Sequence, residues 1–316
     1  MCLLSSIGDF TVRALVLALA LVSCDHWNKE IPGNTEKSVA DKLRDKAAFY
    51  LKNAHVDENG WILEDKCDGL LFNSLYSISG GHPEISLARG DAGVWFRDPT
   101  HTCFPTRSAS DISRDMFAGL FLWIWQNKRL DLIEEIITYG EAHKTDLGEW
   151  RMGSGDPMRT GIRLDGQAAA YEIRYKLGGA DDDLRHLPIP RFTVSGYEEH
   201  LQALSILMWG LLRNGAINDT DLMAIKNSAE RSPRNALYLA VLHKFTDGDQ
   251  SGAVEVLLDE TIFPSARLPN NFDREPFYLW ERSEDQWHWD PGVFADHVEY
   301  SGVDFLLVKS IILGEI

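Results

Sequence analysis

Six strongly apolar runs in this chain each open on a cluster of charged or amide residues, and this pattern is the strongest constraint on the fold. The runs are GLLFNSLYSI, MFAGLFLWIW, AAAYEIRY, LQALSILMWGLL, ALYLAVLHKF and FLLVKSIIL. Their heads are, in the same order, Asp68, Ser113–Asp115, Asp165 with Gln167, Glu198–His200, Arg234–Asn235 and Asp304. The spacing predicts helices, and three of them are hydrophobic nearly all round, which is typical of fully buried helices. If these helices run parallel, their polar heads meet on one face above an apolar core.

More polar helical segments alternate with these runs. Residues 36–54, 129–143 and 219–231 place apolar side chains at helical spacing on one face only, which predicts an outer layer of amphipathic helices. Long polar segments at 80–110, 144–162 and 261–299 predict loops, and loops of this length inside a domain are usually functional or disordered. We find no apolar alternation that predicts a strand longer than a few residues. The sequence therefore predicts an all-α domain.

This alternation of inner and outer helices resembles the (α/α)6 toroid of glycan-active enzymes over about residues 36–314. The resemblance concerns the fold and rests on the helix pattern rather than on a signature motif. It implies a single toroid-like domain with long loops over one face and a substrate cleft at one end of the inner helices. It also implies a hydrolase or a lyase that acts on an oligo- or polysaccharide. An irregular helical bundle is the alternative fold.

The N-terminus carries a short apolar stretch, Ala14–Val22, preceded by Arg13. It is far shorter than the roughly 20 residues that span a bilayer. The string Leu21-Val22-Ser23-Cys24 resembles a bacterial lipoprotein lipobox, which implies cleavage before Cys24 and a lipid on its thiol. A plain signal peptide is the alternative. We therefore expect a signal peptide at 1–23, a tether at 24–35, a domain at 36–316, and an exported protein anchored to the membrane of the cell envelope.

The composition excludes one class of partner and leaves the cysteines open. Thirty-one basic and 48 acidic residues give a net charge of −17, so a nucleic-acid partner is not expected. Four cysteines are present. Apart from Cys2 and Cys24, the chain keeps Cys67 and Cys103, which either form a disulfide in an oxidising compartment or remain as two thiols.

Cleavage of a glycosidic bond needs two carboxyl groups, one that donates a proton and one that accepts a proton or attacks carbon. Asp115 and Asp165 are the best pair, because each opens an inner helix directly after a long loop. Arg114 beside Asp115 favours the ionised carboxylate, which suits a base or a sugar ligand. Asp68 is a third candidate. For each residue the alternative is a helix cap that complements the helix dipole.

Aromatic and polar side chains near these heads are candidates for substrate binding, because sugar rings present C–H faces to aromatic rings and hydroxyls to polar groups. The candidates are Arg114, Trp95, Arg97, Trp150, Gln167, His200, Trp287 and Trp289. Arginines near carboxylates also suit an anionic sugar, since Arg pairs bidentately with a carboxylate. Their alternative role is to neutralise an acidic chain, and His200 is equally explained as a satisfied core histidine.

No cofactor or metal is expected. His288, Asp290, Asp296 and His297 lack the spacing of known metalloenzyme motifs. Asp247 to Gly252 matches the start of a calcium loop, but Leu258 occupies the twelfth position, where a bidentate Glu is required.

The sequence thus favours an exported glycoside hydrolase with Asp115 and Asp165 as acid and base. A polysaccharide lyase on an anionic glycan is the alternative enzyme. The alternative to an enzyme is a non-catalytic lipoprotein that binds glycan or acts as a scaffold for an envelope complex.

Overall fold

The computed structural model describes residues 37–63, 69–103, 110–151, 157–161, 164–186, 191, 194, 197–270 and 299–316. Residues Val39–Ile316 form one compact unit. Its described part is mostly helical, which confirms the predicted all-α class. The helices are α1 Val39–Asn53, α2 Gly69–Ile78, α3 Met116–Gln126, α4 Leu130–Ala142, α5 Leu164–Lys176, α6 Tyr197–Leu212, α7 Asp219–Arg231, α8 Ala236–Lys244, α9 Ser251–Leu258 and α10 Val303–Ile312. No helix within these ranges is both long and apolar enough to cross a membrane.

The six apolar runs form α2, α3, α5, α6, α8 and α10, and their contacts close into a cycle. Each of these inner helices contacts the next one in chain order, and α10 contacts α2. Their inward side chains make the core: Leu120, Ile206, Leu237 and Leu306 are all fully buried. Burying apolar side chains on nearly every side is what stabilises helices of this composition.

The amphipathic helices pack against members of this cycle. Helix α1 lies against α9 and α10, α4 against α3 and α5, α7 against α6 and α8, and α9 against α8 and α10. Each of these helices has one apolar stripe, so it buries that stripe and leaves its polar face in solvent. Prediction and structure agree here, since 219–231 is helical over the expected range.

Contacts at both ends show how neighbouring helices are oriented. At the start of α6, His200 faces Asn235 at the start of α8, and at the other end Gly210 packs against Phe245. Helices α6 and α8 therefore run parallel. Helix α7 runs opposite to α6, because Asp221 in its first turn pairs with Arg213 after α6, and Arg231 at its end pairs with Glu199.

The starts of α2 and α3 also adjoin, at a point where only glycine fits. A Cβ on Gly119 would lie 2.5 Å from the carbonyl oxygen of Leu71. We expect Gly119→Ala to lower the free energy of unfolding by about 1–3 kcal/mol, because the two helices must separate to admit the methyl group. Gly140→Ala is the matched control: its nearest neighbour is Leu147 Cδ2 at 3.6 Å, so helix propensity alone predicts no loss or a gain of up to about 1 kcal/mol. Equal denaturation midpoints for the two variants would show that this helix contact is not close.

The structure corrects three sequence predictions. The second loop contains an antiparallel hairpin, β1 Asp146–Arg151 and β2 Pro157–Gly161, which pairs neighbouring segments and needs little apolar alternation. The sequence Ser232-Pro233 predicts a helix start, with Ser as N-cap and Pro at the first helical position, but α8 begins at Ala236 with Asn235 as its N-cap. The toroid resemblance implies a weak outer helix at 178–190, and within the described residues this segment contains a single 3-10 turn at Asp183–His186.

Candidate functional site

Arg114 joins the heads of two inner helices through two carboxylates. Its Nε donates to Asp115 Oδ1 at 3.3 Å, and its Nη2 donates to Glu198 Oε1 at 3.1 Å. Asp115 occupies the N-cap position of α3, yet its carboxylate accepts no capping hydrogen bond from the helix. Asp115 is therefore not a hydrogen-bonding cap, and its carboxylate pairs with Arg114 at the positive end of the α3 dipole.

This group is open to solvent. The side chains of Arg114, Asp115 and Glu198 are 40%, 22% and 37% exposed, so a ligand could reach all three. The two carboxylates are separated by no more than one guanidinium and two hydrogen bonds.

The first turn of α6 has a second charged anchor, directly after Glu198. Glu199 is 6% exposed, and its Oε1 accepts hydrogen bonds from Arg231 Nε at 3.1 Å and Nη2 at 2.8 Å. Arg231 ends the antiparallel helix α7, so an outer helix supplies the cation that balances a buried inner-helix carboxylate. A buried carboxylate needs such a partner, because desolvation without one is costly.

His200 completes this turn and faces α8. Its Nε2 lies 3.4 Å from Asn235 Nδ2, and its ring stacks on Tyr238 with a centroid distance of 5.4 Å. The imidazole is 8% exposed. We call Arg114, Asp115, Glu198, Glu199, His200 and Asn235 the helix-head cluster.

The other predicted carboxylate, Asp165, lies in the first turn of α5. Helix α5 contacts both α3 and α6, and it runs opposite to α4, as the pairs Tyr171–Glu141 and Arg174–Glu134 show. Since α4 follows α3 in a tight helical hairpin, the start of α5 lies at the same end as the start of α3. Gln167 is half-buried in this turn, whereas the side chain of Asp165 is outside the described residues.

Two predicted sugar contacts have structural roles instead. Trp95 is 1% exposed and belongs to the hydrophobic core, so its ring cannot stack on a sugar in this conformation. Arg97 is 6% exposed, and its Nε donates to the Asp111 carbonyl at 3.0 Å. The Arg97 carbonyl accepts from Leu70 N at 2.7 Å, which ties this loop to the head of α2. We do not carry either residue into the proposed site.

Several predictions lie outside the described residues. These are Asp68, Trp287, Trp289, Cys24 and the side chain of Trp150. Cys103 is disulfide-bonded, and its three possible partners, Cys2, Cys24 and Cys67, lie outside the described residues as well. Within the described ranges, no group of three His, Cys, Asp or Glu side chains is placed to hold a metal ion.

The sequence Ser195-Gly-Tyr-Glu198 matches a capping box, which predicts a cap role for Glu198. The structure gives its carboxylate to Arg114, 84 positions away. Its position in the sequence carries one usable signal: two adjacent acidic residues open an inner helix, and a single cap can employ only one of them. Arg231 was not singled out, because an arginine at the end of an amphipathic helix is common on protein surfaces.

Comparison with known proteins adds no relative. No family model, curated protein or solved structure matches this chain.

Proposed function

We propose that this protein is an exported glycan-cleaving enzyme, with glycoside hydrolysis as its reaction. The observation that carries the proposal is the solvent-exposed pair Asp115 and Glu198 on one guanidinium, where the heads of inner helices adjoin. The pair is exposed and connects the heads of two separate helices, so a ligand can reach both carboxylates.

The proposal includes the architecture. The closed cycle of contacts among the six inner helices, with antiparallel outer helices around it, supports an (α/α)6 toroid. In that arrangement the helix-head cluster lies at the end where a substrate cleft would open. Long segments precede α3, α5 and α10 in the sequence, so each of them joins its inner helix at that helix's start.

In the proposed reaction Asp115 acts as the base and Asp165 as the acid. Arg114 favours the ionised form of Asp115, so this carboxylate can take a proton from the attacking water. Asp165 donates its proton to the glycosidic oxygen as the bond to the anomeric carbon breaks. Glu198 accepts hydrogen bonds from sugar hydroxyls, and Arg114 donates hydrogen bonds to them. Gln167 adds an amide at the head of α5.

The test is a screen of the purified protein against neutral and anionic polysaccharides. We expect new reducing ends without unsaturated, ultraviolet-absorbing products. Hydrolysis adds water across the glycosidic bond, whereas a lyase removes a proton and leaves a double bond. Unsaturated products would show that the enzyme is a lyase rather than a hydrolase. Binding without turnover of any bound glycan would contradict the enzyme and favour the non-catalytic lipoprotein.

Export gives a separate prediction. If Cys24 carries a lipid, Cys24→Ser should move the protein from the membrane pellet to the soluble fraction of the envelope, since a lipid chain contributes about 0.8 kcal/mol of membrane affinity per buried CH2 group. Asp219→Ala, a change of an exposed side chain in the domain, is the control and should leave the protein in the pellet. Equal membrane association of the wild type and Cys24→Ser would contradict the anchor.

A further inference from the structure

Asn235 is a buried amide whose orientation is fixed by the helix that it caps. It is 1% exposed, and its Oδ1 accepts from the backbone nitrogens of Leu237 at 3.1 Å and Tyr238 at 3.3 Å. A flipped amide would place its NH2 group against two N–H donors, so only one orientation is compatible with the cap. Nδ2, a donor, therefore faces His200.

The fixed amide determines which nitrogen of His200 carries the proton. His200 Nε2 is 3.4 Å from Asn235 Nδ2, so a hydrogen bond between the two atoms requires Nε2 to accept. A neutral imidazole then holds its proton on Nδ1. An imidazolium would direct N–H against N–H where little solvent can intervene, and the positive end of the α8 dipole disfavours a cation at the same place.

The neighbours of His200 are already arranged for a neutral ring. Glu198 pairs with Arg114, and Glu199 pairs with Arg231, so each adjacent carboxylate has its own cation. Tyr238 stacks on the imidazole from α8.

We propose that Asn235 is a positioning residue that holds His200 as the neutral Nδ1–H tautomer. The inference deepens the proposed function, because His200 belongs to the helix-head cluster where the reaction is proposed. The tautomer itself can be measured whether or not the protein is an enzyme.

The test is the two-bond 1H–15N spectrum of the histidine side chains in the full-length protein at pH 7. The chain has ten histidines, so the His200 signals are identified by their loss in His200→Gln. We expect a protonated Nδ1 and an unprotonated Nε2 in the wild type. A wild-type spectrum with a proton on Nε2 of His200, or on both nitrogens, overturns the proposal.

Two variants separate the cap of Asn235 from its amide donor. Asn235→Asp and Asn235→Ser both keep a good N-cap, but neither presents a donor amide to His200. Asn235→Asp should move the His200 proton to Nε2 or leave both nitrogens protonated, because a carboxylate oxygen then faces Nε2. An Asn235→Asp spectrum identical to the wild type would show that Asn235 does not set the tautomer.

If turnover is found in the screen above, Asn235→Asp should lower kcat by more than tenfold while changing KM by less than threefold. Asn235→Ser should lower kcat by a smaller factor, since it adds no charge. If the spectra show the expected tautomers but the protein has no turnover, this inference is intact and only the proposed function is rejected.

Discussion

Asp221→Ala is expected to lower the free energy of unfolding by about 3–5 kcal/mol, which is the cost typical of breaking a buried ion pair from one side. The Asp221 carboxylate is fully buried, and its Oδ1 accepts from Arg191 Nε at 2.5 Å. Arg191 is 4% exposed at its side chain and would keep only Ser205 Oγ, at 3.0 Å, among the partners described. The measurement is urea or guanidinium denaturation followed by circular dichroism.

The matched control lies two residues earlier in the same turn. Asp219→Ala removes an exposed acidic side chain from the first turn of α7, which should cost about 0.3–1 kcal/mol through the helix dipole. In addition, Arg191→Met in the Asp221→Ala background should restore part of the loss, because the unpaired cation is removed with it. If Asp219→Ala and Asp221→Ala lower the free energy of unfolding equally, the buried pair Asp221–Arg191 does not stabilise the packing of α7 on α6.

The helices could be predicted because their signals are local. Helix α7 follows its predicted range because Asn218 accepts from Asp221 N, and its apolar face repeats every three to four residues. The start of α8 was misassigned because Ser232-Pro233 fits a helix start as well as the turn that it forms. Ser232 instead ends α7, and Asn235 provides the cap three residues later.

The candidate site could be predicted only in part, because half of it depends on distant contacts. Arg114 and Asp115 are adjacent in the sequence and open an apolar run, so their place at a helix head follows from the pattern. The partners Glu198 and Arg114 belong to helices that meet only once the inner helices pack, and no local signal links them. The prediction that Trp95 contacts a sugar has a related weakness. In a loop rich in Gly and Pro, the sequence does not distinguish a core aromatic from an exposed one, and Trp95 is buried.

Asp115→Asn is expected to lower kcat by about 10²- to 10⁴-fold on whichever glycan the protein cleaves, the range typical of losing a general base. The amide keeps the size of the side chain and its position beside Arg114, so KM should change little. The loss should be equal in kcat and kcat/KM, because the proton transfer to the base occurs only in the transition state. Initial rates of reducing-end release give both constants.

Asp131→Asn is the control for this substitution, because its surroundings resemble those of Asp115 at the start of a different helix. Asp131 lies in the first turn of the outer helix α4, where Arg129 donates to both of its carboxylate oxygens, at 2.8 Å and 2.6 Å. The hydrogen bond from Arg129 lowers the pKa of Asp131, so it too is an ionised, arginine-paired carboxylate at a helix start. Since α4 runs opposite to the inner helices, Asp131 lies far from the helix-head cluster, and Asp131→Asn should leave kcat within twofold of the wild type. Equal activity of Asp115→Asn and the wild type would remove Asp115 from the reaction. Equal loss in both variants would attribute the effect to the fold rather than to the chemistry at α3.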